Sequence, residues 1–244
     1  TDSEPVIPFA QPNSTTRVFA VASGKGGVGK SSMTVNLATA LAARGLNVGI
    51  LDADIYGHSI PHMLGSDARP HQVDDMIMPP IAHGVKIISI GHFVEGNTPV
   101  IWRGPMLHRA IQQFLSEVFW SDLDILLLDL PPGTGDIALS VAQLVPSAEL
   151  LIVTTPQAAA AEVAERAGAM SQQTRQKVAG VIENMSAMVM PDGSVVDVFG
   201  SGGGQMVADR LSTLTGTKVE LLGSVPLDPA LRVGADDGNP IAIT

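Results

Sequence analysis

The sequence predicts a doubly wound α/β fold, a mainly parallel sheet with helices on both faces, and three observations carry that prediction. Short aliphatic runs alternate with longer amphipathic ones along the chain. Each short run is bounded by Gly, Pro or polar residues and is too short for a buried helix. Aromatics make up only 4% of the 244 residues, so the core must be aliphatic, as in a sheet of Val, Ile and Leu covered on both sides.

Taken in order, strands are expected over residues 17–23, 47–52, 85–90, 124–130, 150–155, 178–184 and 220–225. Helices are expected over 30–44, 106–119, 137–144, 158–176 and 204–214. Residues 17–244 form one domain in this reading. Residues 1–16, with Pro5, Pro8 and Pro12 among polar residues, read as an extended linker arriving from something upstream. The chain stops just after an apolar stretch begins at Ile241, so both ends read as cut.

A formal net charge of −10 opposes a phosphate backbone over most of the surface, so nucleic acid is a poor candidate partner. No apolar run approaches the roughly 20 residues that span a bilayer, and nothing at the start resembles a signal peptide. A cytoplasmic protein without a membrane partner is the expectation. The absence of cysteine excludes disulfides and any thiolate site built from this chain.

In a doubly wound sheet, ligands bind beyond the carboxyl ends of the strands. The first such edge carries Ser23-Gly24-Lys25-Gly26-Gly27-Val28-Gly29-Lys30-Ser31-Ser32, which contains G-x-x-x-x-G-K-S. Its four glycines let the backbone wrap and turn N–H groups inward toward phosphate oxygens. Lys30 is expected to neutralise the β- and γ-phosphates of ATP, and the Ser31 hydroxyl to ligate Mg²⁺. The helix that follows points its positive end at the same anion.

Two further edges are acidic. Leu51-Asp52-Ala53-Asp54 places two carboxylates at a strand end, where a cation must offset their repulsion. Ile125-Leu126-Leu127-Leu128-Asp129 ends in an aspartate placed to hold a magnesium-bound water. After it, Pro131 and Pro132 stiffen one side of a loop while Gly133 and Gly135 keep the other mobile, as a γ-phosphate sensor requires. Asp136 reads equally as part of that sensor or as a helix cap.

The second lysine of the glycine loop, Lys25, resembles the deviant Walker A motif of the dimeric ATPases related to MinD and ParA. That resemblance implies a homodimer in which Lys25 reaches the partner's nucleotide, with Asp54 orienting the attacking water and Asp52 supporting the magnesium site. The catalytic set it implies is Lys25, Lys30 and Asp54. DADIYGHSIPHML, WRGPM, LLLDLPPGTGDIALSVAQL, VTTPQAAA, GVIENMS, VFGSGGG and VPLDPALR together resemble the Mrp/ApbC family of iron–sulfur cluster carrier ATPases, over about residues 17–240. This implies ATP-gated transfer of a labile cluster between donor and apo-acceptor proteins. It also implies that Asn184 contacts adenine and that the segment around Pro226 closes over the base.

The match breaks where the family commonly has C-P-x-C-G. Here Ser186-Ala187-Met188-Val189-Met190-Pro191-Asp192-Gly193 stands instead, with Met190 about where the first cysteine belongs. A thioether is a much poorer cluster ligand than a thiolate, so no iron–sulfur ligands are identifiable. Cysteine-free versions of this kind resemble the Mrp-like proteins of actinobacteria. His58 and His62, separated by Pro61, and the scattered His71, His83, His92 and His108 read as ordinary surface or pocket residues, and Met185, Met188 and Met190 as an adaptable apolar surface. The competing reading is a MinD- or ParA-like positioning ATPase that switches surface attachment. It needs an amphipathic membrane helix or a basic face, and neither is evident.

Overall fold

The computed structural model describes residues 4–57, 59–93, 103–133 and 136–243. The first half holds β1 (Arg17–Ala22), α1 (Lys30–Ala43), β2 (Val48–Asp52), α2 (Ile60–Met63), β3 (His71–Val73), β4 (Met76–Met78), β5 (Ile81–Ala82) and β6 (Val85–Ser89). Then come α3 (Gly104–Glu117), β7 (Ile125–Asp129), α4 (Asp136–Leu144), β8 (Glu149–Thr154) and α5 (Ala160–Thr174). The last part holds β9 (Val178–Val189), β10 (Val195–Val196), α6 (Gly203–Thr215), β11 (Leu221–Leu227) and α7 (Pro229–Asp237).

The main sheet runs β9-β8-β1-β7-β2-β6, parallel throughout, with β11 parallel on the outer side of β9. Short antiparallel strands, β5 and β10, finish its two ends. All seven expected strands are present, and the five expected helices agree with α1, α3, α4, α5 and α6 to within two residues at each end.

Period-two alternation divides the strands between two cores. Ala20, Ala22, Leu51, Ile88, Leu126, Leu128, Leu150 and Ile152 pack under α3, α4, α5 and α6. Their neighbours Val21, Ile50, Ile87, Leu127, Leu151 and Val153 face the side covered by α1 and α2. Each buried Leu, Ile or Val contributes about 1.5–3 kcal/mol, so the strand ends that carry the polar residues stand on a rigid base.

Three differences from the sequence-based expectations have local causes. The opening segment does not run free: Ile7 and Phe9 are buried in the main core, with a short 3₁₀ turn at Pro8–Ala10 between linker and β1. Strand β9 continues five residues past 184 because Met185 adopts a left-handed conformation (φ 55°), a kink that lets the chain resume pairing. The register then shifts: β9 advances four positions, from Asn184 to Met188, while β11 advances two, from Val225 to Leu227. Finally, the segment 225–228 leads into α7, whose first turn is capped by Asp228 accepting from the Ala230 N–H at 2.9 Å. Among the described residues no helix is long and apolar enough to cross a membrane.

Candidate functional site

Strand register builds the site. Asp52 of β2 lies level with Asp129 of β7 on one side and with Ser89 of β6 on the other. All three end their strands and all are fully buried. Beside them, β1 gives way to the glycine-rich loop 23–29, which enters α1 through Gly29 in the left-handed region (φ 79°). No side chain caps α1, so its first N–H groups are left to an outside acceptor.

Three groups converge on Asp129. Lys30 Nζ donates to Oδ1 at 2.7 Å, Ser31 Oγ donates to Oδ2 at 2.6 Å, and Thr34 Oγ1 lies 3.1 Å from Oδ1. Lys30 Nζ is also 3.6 Å from Asp54 Oδ2. Asp54 is buried, and its Oδ1 accepts from the N–H groups of Tyr56 and Gly57 at 3.1 and 3.2 Å, which closes a tight turn. The loop after β7 is tied to the same place: Leu130 N–H donates to the Val21 carbonyl and Gly133 N–H to the Ser23 carbonyl, both at 3.1 Å.

A cavity of about 240 Å³ opens above this arrangement, lined by Ser23, the residues from Lys25 to Ser32, Asp54, Ser59, Met63 and Pro132. Ser32 Oγ is buried without a hydrogen-bond partner among the described residues, as a hydroxyl kept for a bound oxygen ligand would be. Lys25 is exposed and forms no ion pair among the described residues; only its carbonyl is engaged, accepting from Ser23 Oγ at 2.9 Å.

The charges do not balance locally. Asp52, Asp54 and Asp129 face one another with Lys30 as their cation. Burial, and then the neighbouring Asp129 charge, push the Asp52 carboxyl up to about 7, against the pull of its bonds from Ser89, Asp54 and Ile60. Burial likewise raises Asp129 above the usual carboxylate range, with Lys30 and Ser31 pulling the other way. The Ser31 hydroxyl and the Asp54 and Asp129 carboxylates offer oxygen donors beside one ammonium, the donor chemistry that a hard cation such as Mg²⁺ favours.

The sign of the Asp52 shift yields a prediction. Because its folded value lies above the unfolded one, near 3.8, its stabilising contribution is full below about pH 4 and is lost as pH rises through about 7. Relative to the parent, Asp52→Asn is therefore expected to gain on the order of 2 kcal/mol between pH 5 and pH 8 in nucleotide- and magnesium-free buffer. Urea unfolding at the two pH values checks this, and a parent–variant difference that does not change with pH would refute it.

Asn184 is buried and its Nδ2 donates to the Val28 carbonyl at 3.0 Å, so the amide braces the glycine loop. Pro226 lies exposed on β11, next to Val225, which is level with Asn184. Asp136 forms the first turn of α4. Of the paired histidines, His58 is outside the described residues, as are Thr134 and Gly135 of the loop before α4. His92 Nδ1 accepts from the Ser89 N–H at 3.1 Å, and burial together with Arg69 lowers its pKa to about 4. Among the described residues no cluster of three His, Cys, Asp or Glu side chains is placed to hold a metal ion. Met190 sits at the exposed tip of the β9–β10 hairpin with Val189, Val195 and Val196.

Sequence reasoning missed several members of the site. Thr34 approaches Asp129 from the second turn of α1. Arg166 of α5 donates to the Gly24 carbonyl at 3.1 Å, and Ser89 Oγ donates to Asp52 Oδ2 at 3.0 Å. Glu183 accepts from the Gly204 N–H at the start of α6. A helical Thr or Arg carries no local signal for such a role. The pair Glu183-Asn184 at a strand's carboxyl edge was the available clue for the last.

A family model described as ParA, NUBPL iron-transfer P-loop NTPase, matches residues 14–244. An iron-sulfur cluster carrier protein of Mycobacterium leprae is 72% identical over 240 residues, covering 98% of this chain and 63% of the relative. A protein of the same description from Escherichia coli is 46% identical over 235 residues, covering 95% and 62%. The chain thus spans less than two thirds of the length of the curated relatives it matches. Among solved structures, the nucleotide-binding protein of Archaeoglobus fulgidus in complex with ADP aligns with a TM-score of 0.77 at 37% identity, covering 91% of this chain and 86% of that one. MinD of Pyrococcus horikoshii, complexed with Mg-ADP, aligns with a TM-score of 0.64 at 23% identity over 93% and 88%, a likeness of fold.

Proposed function

Because this chain belongs to the ParA family of NUBPL-type iron-transfer P-loop NTPases, we propose that it binds and slowly hydrolyses Mg-ATP as a homodimer, and that this cycle controls the transfer of iron–sulfur cargo between partner proteins. The observation that carries the reading is the convergence of Lys30, Ser31 and Asp129 beneath the glycine loop, with Asp54 beside them.

In this reading Lys30 exchanges its bond to Asp129 for the β- and γ-phosphate oxygens. Loop and first-turn N–H groups, the Ser32 hydroxyl and the glycines 24, 26, 27 and 29 cradle the same phosphates. Bound Mg²⁺ supplies charge neutralisation at the phosphates. Ser31 and Asp129 hold it, with Asp54 and Asp52 completing the acidic surround. Asp54 orients the water that attacks the γ-phosphorus as the bond to the ADP oxygen breaks. Lys25, exposed at the rim, serves the nucleotide of the second copy. Asn184 and Pro226 border the base, and the Asn184 bond to Val28 couples base and phosphate sites. Residues 17–244 are the ATPase domain, with Ile7 and Phe9 of the opening segment packed into its core.

The cargo is where this chain departs from its family. It has no cysteine, and the hairpin that carries Met190 offers thioether and carboxylate groups in place of thiolates. A role as ATPase partner, with cluster ligands supplied from outside these 244 residues, follows from that chemistry. Anaerobic incubation with ferrous iron and sulfide, with iron counted per dimer, decides between partner and carrier. Stoichiometric, transferable iron would assign the carrier role to this chain.

Lys25→Ala tests the catalytic half. Hydrolysis is expected to fall about 100-fold, as on removing one charged transition-state contact, while ATP affinity stays within about threefold. Light scattering with ATP should show the parent as a dimer and the variant shifted toward monomer. Unchanged turnover would remove Lys25 from the mechanism.

A further inference from the structure

Two facts about Asp52 set it apart from the other carboxylates of the site. It does not line the phosphate cavity, and its oxygens are already engaged within the fold. Oδ1 accepts from the Asp54 N–H at 3.1 Å, and Oδ2 from the Ile60 N–H at 3.3 Å and from Ser89 Oγ at 3.0 Å. One carboxylate therefore ties both the Asp54 turn and the first residue of α2 to the sheet.

Ser89 stands behind it. Its hydroxyl accepts from the Gly91 N–H at 3.1 Å, which leaves its own hydrogen to be donated to Asp52. Its backbone N–H is held by His92 Nδ1. The next residue, Phe93, stacks on Phe114 of α3 with ring centroids 4.9 Å apart. The serine is therefore fixed from three sides, and neither its hydroxyl nor its backbone reaches the phosphate cavity.

We propose that Ser89 is a positioning residue: through Asp52 it holds the turn that places Asp54 beside Lys30, and so sets the geometry of the hydrolysis step without contributing to nucleotide binding. The catalytic part rests on the ATPase reading above; the positioning part rests on the hydrogen bonds alone. Loss of a single donor to a buried carboxylate leaves that carboxylate freer to turn, and with it the amides it accepts from.

The test is Ser89→Ala, with Ser89→Cys, which keeps volume and a weak S–H donor, as the second variant. For Ser89→Ala, kcat is expected to fall about tenfold with KM and ATP affinity within about twofold of the parent, and Ser89→Cys to fall between the two. In the nucleotide-free protein, hydrogen exchange at the Asp54 and Ile60 amides should speed up about tenfold while β1 and β7 stay protected as before. Unchanged kcat would overturn the catalytic part, and unchanged exchange at both amides would overturn the positioning part. Affinity falling in step with kcat, with exchange rising across the whole sheet, would reduce Ser89 to a general stability role and also overturn the proposal. An inactive parent whose Ser89→Ala variant still exchanges faster at those amides would remove the ATPase reading and leave the positioning role standing.

Discussion

Lys30→Ala is expected to weaken nucleotide binding by at least about 100-fold, because the ammonium is the chief charge offered to the phosphates. The structure adds a second consequence that a motif alone does not supply. Lys30 is buried and paired at 2.7 Å with Asp129, which is itself fully buried. Removing the lysine leaves that carboxylate without its cation, a loss of about 3 kcal/mol for a buried pair broken on one side. Asp129 escapes the penalty by taking a proton, and its pKa is already raised by burial. The destabilisation should therefore be larger at pH 8 than at pH 5. Adding Asp129→Asn to Lys30→Ala should restore most of the stability at pH 8 and none of the binding. Calorimetric titration with ATP and urea unfolding at the two pH values separate these effects. A single variant as stable as the parent at pH 8 would show that the Lys30–Asp129 pair does not hold the loop.

How much of this was legible beforehand follows the range of each interaction. The strands were legible as short aliphatic runs because both of their faces are buried: Leu126 and Leu128 enter one core and Leu127 the other. The phosphate loop was legible because its chemistry is packed into ten consecutive residues. Asp129 was legible as an acid at the end of an aliphatic strand, but its partners were not. That Ser89, Asp52 and Asp129 stand level is a property of the β6-β2-β7 order, and a lone serine after Ile88 reads only as the end of a strand. Arg166 and Thr34 were hidden for the same reason, each being an unremarkable helical residue until the helix is docked.

Asn184 shows a subtler limit. Its importance was read from resemblance, as a contact to adenine; in the structure one of its two N–H donors goes to the Val28 carbonyl, which leaves the other donor and Oδ1 for a base. The kink at Met185 that follows it was not legible, since a methionine with positive φ inside a strand contradicts local preference. Met185 lies between Asn184, which braces the glycine loop, and the hairpin that carries Met190, so a strained residue separates the two.

The close fit of Asn184 leads to the other large expected effect. Gly29 lies in the left-handed region (φ 79°, ψ 26°), and a Cβ added there would overlap Asn184 Nδ2. Two separate costs then fall on Gly29→Ala. The backbone conformation costs an alanine roughly 1–2 kcal/mol, and the new methyl must drive the Asn184 amide off the Val28 carbonyl. Either response distorts the turn that aims the first N–H groups of α1, so ATP affinity should drop about 100-fold or more. Asn184→Ala alone removes one brace and should cost about tenfold. In Gly29→Ala/Asn184→Ala the overlap is gone and only the backbone cost persists, so the double variant should bind more tightly than Gly29→Ala does. That reversal is non-additive in a direction that independent damage cannot produce. A double variant weaker than both singles would mean that the two residues act separately on the nucleotide, and that Asn184 does not brace the loop.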